Sequence, residues 1–117
     1  IFYHGKRLFL KVFIFYSSKR FMQRPLDRLK EKVYKGSLWL YILRLLRKER
    51  YYGYEIRSEI KTKFGFWVGN VTSYKVLYLL EKGGYVKSEK GGREIYYQLT
   101  KKGLEELKAG NKFLKTA

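Results

Sequence analysis

The sequence predicts a mainly α-helical fold with one small β-hairpin. Three observations predict it. Apolar residues recur at three- and four-residue spacing in several stretches closed by glycine. Two short runs rich in β-branched and aromatic residues flank Gly91-Gly92. The chain has 117 residues, the size of one domain, and its 45% hydrophobic content is enough for one compact core.

Pro25 is suited to open a helix, because its missing N–H is not needed in the first turn. Leu26, Leu29 and Val33, then Leu38, Trp39, Ile42, Leu45 and Leu46, make an apolar stripe. Gly36 divides it into a short basic helix (about 26–35) and a longer one (about 37–48). Arg47-Lys48-Glu49-Arg50 puts cations at the carboxyl end, where the helix dipole favours them. Tyr51-Tyr52-Gly53 is expected to be a turn. Tyr54 to Phe64 reads as the next helix, with Ile56 and Ile60 inward and Gly65 as its stop. Asn70 is the expected cap of a helix over about 71–82, with Val76, Leu77, Leu80 and Ser73 inward. Tyr85–Glu89 and Glu94–Leu99 are expected strands, with two glycines for a tight turn. Thr100 is expected to cap a last helix with apolar positions Leu104, Leu107, Phe113 and Leu114, weakened in the middle by Gly110. Two helices, a turn and a third helix, followed by a hairpin with a basic tip, form a winged helix-turn-helix with an added C-terminal helix.

Charge narrows the function. Twenty-seven Lys and Arg stand against ten Asp and Glu, a net +17. Such a field attracts DNA, RNA or an anionic membrane, and does not choose among them. No cysteine is present, which excludes disulfides and thiolate chemistry and fits a cytoplasmic protein. His4 alone makes neither a zinc site nor a Ser-His-Asp triad. Glu55 and Glu59, four apart among cations, read as a salt-linked surface and not as an acid–base pair. Neither a catalytic residue, a metal nor a cofactor is expected, so an enzyme is the least supported class.

Residues 1–21 form an expected N-terminal extension to a domain over 22–117. Lys6-Arg7 before Leu8–Tyr16 has the look of a secretion signal, but Lys11 interrupts the run and no small-residue cleavage site follows. The run is also well short of the roughly 20 residues that span a bilayer, so stable membrane insertion is not expected. Met22 is the chain's one methionine. The extension is therefore either upstream of a natural start at Met22 or an extra packing element.

Three spaced motifs resemble the phenolic-acid decarboxylase regulator (PadR) family of winged-helix transcription regulators, over about residues 36–108. Tyr52-Gly53-Tyr54-Glu55-Ile56 resembles the family's Gly-Tyr-Glu-Ile motif. Tyr74, Leu77, Leu80, Glu81, Gly84 and Val86 resemble its recognition-helix pattern. Arg93, Tyr96, Tyr97, Leu99, Thr100, Lys102 and Gly103 resemble its Arg…Tyr-x-Leu-Thr-x-x-Gly close. Ser73 departs from the family, which usually has an apolar residue there. The resemblance implies a sequence-specific regulator of double-stranded DNA, a repressor, acting as a homodimer. Family members commonly dimerise through C-terminal helices, and this chain has one, about 15 residues long.

Within that fold, Thr72, Lys75, Tyr78 and Lys82 are expected on the outward face that enters the major groove. Asn70, Thr72 and Tyr74 are placed to meet phosphate at the helix start; core packing is the equal alternative for Tyr74. Lys87, Lys90 and Arg93 surround the wing tip, where cations position the duplex more than they read it. Arg57, Lys61 and Lys63 are secondary candidates. The resemblance also implies a possible small aromatic effector. Trp39, Tyr41, Phe66 and Trp67 are its candidate lining, with core packing the favoured reading. The alternative functions are a non-specific architectural or RNA-associated winged-helix protein, and a membrane-surface protein held by Leu8–Tyr16.

Overall fold

The computed structural model describes residues 23–116. The expectations for the N-terminal extension, His4 and Met22 lie outside the described residues. The chain divides into two units between Val33 and Tyr34. The described part of the first unit is the start of α1 (Pro25–Gly36), with Asp27 in its first turn. The second unit holds α2 (Leu38–Lys48), β1 (Tyr51–Tyr52), α3 (Gly53–Phe64), α4 (Asn70–Lys82), β2 (Val86–Gly91), β3 (Glu94–Leu99) and α5 (Lys101–Thr116).

The mainly α architecture with a small sheet is the expected one, and α2 is its centre. Leu38, Leu40, Ile42, Leu43, Leu45 and Leu46 of α2 are all buried. They meet Ile56 and Ile60 of α3, Leu77 and Leu80 of α4, and Leu107 of α5 in one cluster. Partners on several sides widen the stripe. Leu40 and Leu43 are therefore core residues, while Trp39 is only partly buried. A fully buried Leu or Ile contributes about 1.5–3 kcal/mol. Phe113 and Leu114, expected to be core positions of the last helix, are 69% and 42% exposed. Helix α5 stays against α2 as far as Gly110, which faces Leu40, and Asn111, whose Oδ1 accepts from Arg44 Nη2 at 2.8 Å; only its last turn, from Lys112, lies open among the described residues.

The sheet has three strands and not two. Tyr51 and Tyr52, expected as a turn, form β1 and pair antiparallel with Tyr97 and Tyr96. The order is β1-β3-β2. The wing turn also shifts. Gly91 pairs with Glu94 inside the ladder, so Gly92 and Arg93 make the turn. Only Gly92 of the two glycines uses positive φ (71°). Gly91 serves close packing: a Cβ there would meet the Tyr96 ring at 2.6 Å.

Thr100 caps α5 as expected. Its Oγ1 accepts from Gly103 N at 3.0 Å and donates to the Gly84 carbonyl at 2.6 Å. Among the described residues, no helix is long and apolar enough to cross a membrane.

Candidate nucleic-acid interface

The turn between α3 and α4 is built by a stop, a clamp and a cap. Gly65 ends α3 at φ 82°, donating its N–H to Lys61 O at 3.0 Å. Arg57 then reaches across the turn. Its Nε donates to Val68 O at 2.8 Å, and its Nη1 to Asn70 Oδ1 at 3.5 Å. Arg57 is thus a brace for the turn and not a free cation. Arg57→Ala is expected to destabilise the domain by about 1.5–3 kcal/mol, the range for hydrogen bonds from a charged group. Chemical denaturation followed by circular dichroism checks it; an unchanged midpoint would refute the brace.

Asn70 is the first residue of α4, and Gly69 is its cap. The expected Asn70 cap is corrected because its side chain is turned toward Arg57. Ser73 N donates to Gly69 O at 3.0 Å. The N–H groups of Asn70, Val71 and Thr72 therefore precede the first intrahelical acceptor and point out of the helix start.

Helix α4 buries Ser73, Leu77 and Leu80. The Ser73 hydroxyl is buried with no hydrogen-bond partner among the described residues. Opposite this face, at helical spacing, stand Val71, Lys75, Tyr78 and Lys82, all exposed. The Lys82 ammonium lies 5.9 Å from the Tyr78 ring centre. Thr72 and Leu79 flank them on one side, both exposed. Asn70 and Tyr74 flank on the other. Tyr74 is 42% exposed, and its ring edge lies 3.1 Å from where a Cβ would stand on Gly53. It both packs on the start of α3 and reaches solvent.

Glu81 is the one acidic residue of α4. Its carboxylate accepts a hydrogen bond from the Ser88 hydroxyl of β2. The bond draws the carboxylate toward the wing, to the side of the line of Lys75 and Lys82, and ties α4 to β2. Lys102 of α5 holds the end of α4 as well, donating to Gly83 O at 2.6 Å.

Alternation along β2 separates the three wing cations. Val86, Ser88 and Lys90 share the side that meets α4 and the core; Lys87 and Glu89 leave the other side. Lys90 and Arg93 therefore lie at the tip, while Lys87 stands beside Glu89 and Gln98 on the outer face. That outer face also carries an aromatic stack. The Tyr96 ring lies 3.8 Å from Tyr52, and the Arg50 guanidinium 4.3 Å from Tyr96. The hydrogen bond with Tyr96 helps push the Tyr52 phenol up to about 12.

Lys61 and Lys63 turn to structural partners. Lys61 donates to Gly65 O at 3.4 Å and lies over the Trp67 ring. Lys63 donates to the Tyr51 hydroxyl at 2.8 Å and pairs with Glu59 at 3.5 Å. Glu55 accepts from Tyr52 N at 3.0 Å, so it caps α3 and does not join a salt-linked surface.

The aromatic candidates for an effector pocket split. Tyr41 and Phe66 pack with Tyr34 and Phe64 as ring contacts. Trp67 is 69% exposed. A cleft of about 830 Å³ opens instead between α2, the end of α3 and α5. Arg44, Arg47, Lys48, Lys63 and Lys115 rim it over Leu45, Phe64 and Leu107.

A three-helix core with α3 and α4 joined by a tight turn, followed by a two-stranded wing, defines a winged helix-turn-helix protein. The chain belongs to the transcriptional regulator PadR-like family, whose model matches residues 42–109. A transcriptional regulator from Clostridium thermocellum is 31% identical, with a TM-score of 0.69, covering 73% of this chain and 86% of that one. A PadR family transcriptional regulator from Eggerthella lenta is 25% identical, also at 0.69, covering 78% and 83%. A PadR-like transcriptional regulator from Bacillus cereus is 27% identical, with a TM-score of 0.64, covering 73% and 87%. Comparison with curated proteins gave no match.

Val71 and Leu79 are the exposed aliphatic residues of α4 that sequence reasoning missed. The signal for Val71 was present, since it lies four and seven residues before Lys75 and Tyr78.

Proposed function

We propose that this chain is a sequence-specific duplex-DNA-binding regulator, and a repressor. The observation that carries the reading is the outward face of α4. It carries Lys75 and Lys82, its lone acid is hydrogen-bonded to Ser88 at the side toward the wing, and that wing has Lys90 and Arg93 at its tip. Lys75, Tyr78 and Lys82 enter the major groove. Asn70, Thr72 and Tyr74 meet the phosphate backbone beside the helix start, where free N–H groups favour an anion. Lys90 and Arg93 hold the adjacent backbone, and Lys87 adds to the field from the outer face. Exposed Phe113 and Leu114 support a second copy packed on α5. A dimer of this kind reads an inverted repeat with half-sites about 34 Å apart.

Four cations per protomer at the duplex set the expected salt dependence. The slope of log K on log salt is about −3 to −4 per protomer. Affinity should then fall on the order of 10²-fold per protomer between roughly 50 and 200 mM salt. Fluorescence anisotropy on labelled duplex measures it, and a flat response would end the reading. Competition decides specificity: unrelated duplex or structured RNA should displace a selected site far less well than the site itself. Equal displacement would instead favour a non-specific architectural or RNA-associated role.

A further inference from the structure

We propose that Val71 is a specificity residue that recognises the C5-methyl group of a thymine in the major groove. The inference rests on the DNA-binding reading and names what that reading leaves unassigned. Val71 is 83% exposed, more than any other large hydrophobic side chain among the described residues. It is not a member of the core cluster. A β-branched residue in a helix gives up side-chain freedom, and here no burial within the domain offsets that.

Its surroundings select the occupant. Val71 lies in the first turn of α4, on the same outward line as Lys75 and Lys82. The amino-terminal residues of a recognition helix are the ones that reach base edges. The cations beside it match the sign of a phosphate-lined groove and oppose an acceptor of positive charge. Within the major groove, the thymine methyl is the apolar group a base pair presents. Two valine methyls at the groove floor would shield it from water, while Lys75 and Lys82 bond elsewhere. The gain from enclosing one methyl is about four-fold in affinity.

A test confined to one methyl group is available, because deoxyuridine is thymidine without it. The full chain is used to select bound sites from random duplexes, and each thymine of one half-site is then replaced in turn by deoxyuridine. Affinities are measured for the unaltered chain and for Val71→Ala and Val71→Thr, with circular dichroism confirming an unchanged fold. One thymine should be found whose replacement weakens the unaltered chain about four-fold. Val71→Ala should bind the thymine and uridine duplexes equally, and Val71→Thr should fall between. If no thymine is sensed, or if Val71→Ala senses it as strongly as valine does, the proposal is overturned while DNA binding stands. If the unaltered chain binds no duplex even at low salt, both readings fall.

Discussion

Replacing Lys75 and Lys82 together by glutamate is expected to lower duplex affinity by about 10³-fold or more, with the thermal midpoint lowered by only about 5 °C. Both side chains are exposed on the face of α4 opposite Ser73, Leu77 and Leu80, so neither holds the fold. Removing a cation from a groove edge or a phosphate costs about 1–3 kcal/mol, and each new carboxylate adds repulsion from the backbone it faces. The helix itself suffers little: Glu at position 75 remains a good helix former, and Glu at position 82, in the last turn, costs about 0.3–1 kcal/mol against the helix dipole. Anisotropy at about 100 mM salt reads the affinity, and a parallel melt reads the fold. A loss of less than about five-fold would move the interface off α4.

Gly103→Ala is expected to cost about 3 kcal/mol of stability, at the upper end of overpacking effects. A methyl group on Gly103 would stand 2.0 Å from the Tyr85 carbonyl oxygen and 2.7 Å from Leu99 Cδ1. The first obstacle is backbone, so no rotamer relieves it. That carbonyl is also committed, accepting from Thr100 N at 3.2 Å. To make room, α5 must draw away from the joint between α4 and the wing, pulling Leu107 from the core. For a domain of this size, the loss lowers the melting midpoint by about 15 °C. A scanning calorimeter checks it, and a drop under about 5 °C would mean that α5 moves aside freely. Gly110 makes the useful contrast. Its nearest obstacles are the Leu40 Cδ1 at 2.8 Å and the Trp39 ring at 3.0 Å, both side-chain atoms that can shift. An expectation built on propensity alone treats the two glycines alike, and their surroundings do not.

Each of the three resembling motifs acquires a physical reason in the fold. In Tyr52-Gly53-Tyr54-Glu55-Ile56, Glu55 caps the helix through Tyr52 N, Gly53 admits the Tyr74 and Tyr97 rings, and Ile56 is fully buried. In the recognition-helix pattern, Leu77 and Leu80 face the core and Glu81 holds the wing. In the closing motif, Thr100 caps α5 and Gly103 lets it pass the Tyr85 carbonyl.

What the sequence determined by itself is local. Helical periodicity, glycine stops and the Thr100 cap depend on neighbours within one or two turns, and they are legible to within a residue or two. The inward and outward faces of α4 follow from the same period, which is why sequence alone assigns Lys75, Tyr78 and Lys82 to the outer one. What the tertiary structure decided is pairing between distant segments. Two residues cannot show a strand period, so β1 exists because β3 offers Tyr51 and Tyr52 an open edge. Arg57 leaves the candidate cations because Val68 O lies within reach across a turn. Lys87 parts from Lys90 because the ribbon has two faces and only one meets α4. Phe113 and Leu114 stay exposed because the contact of α5 with α2 ends at Gly110 and Asn111. In each case the deciding partner is remote in sequence, and no local pattern encodes its position.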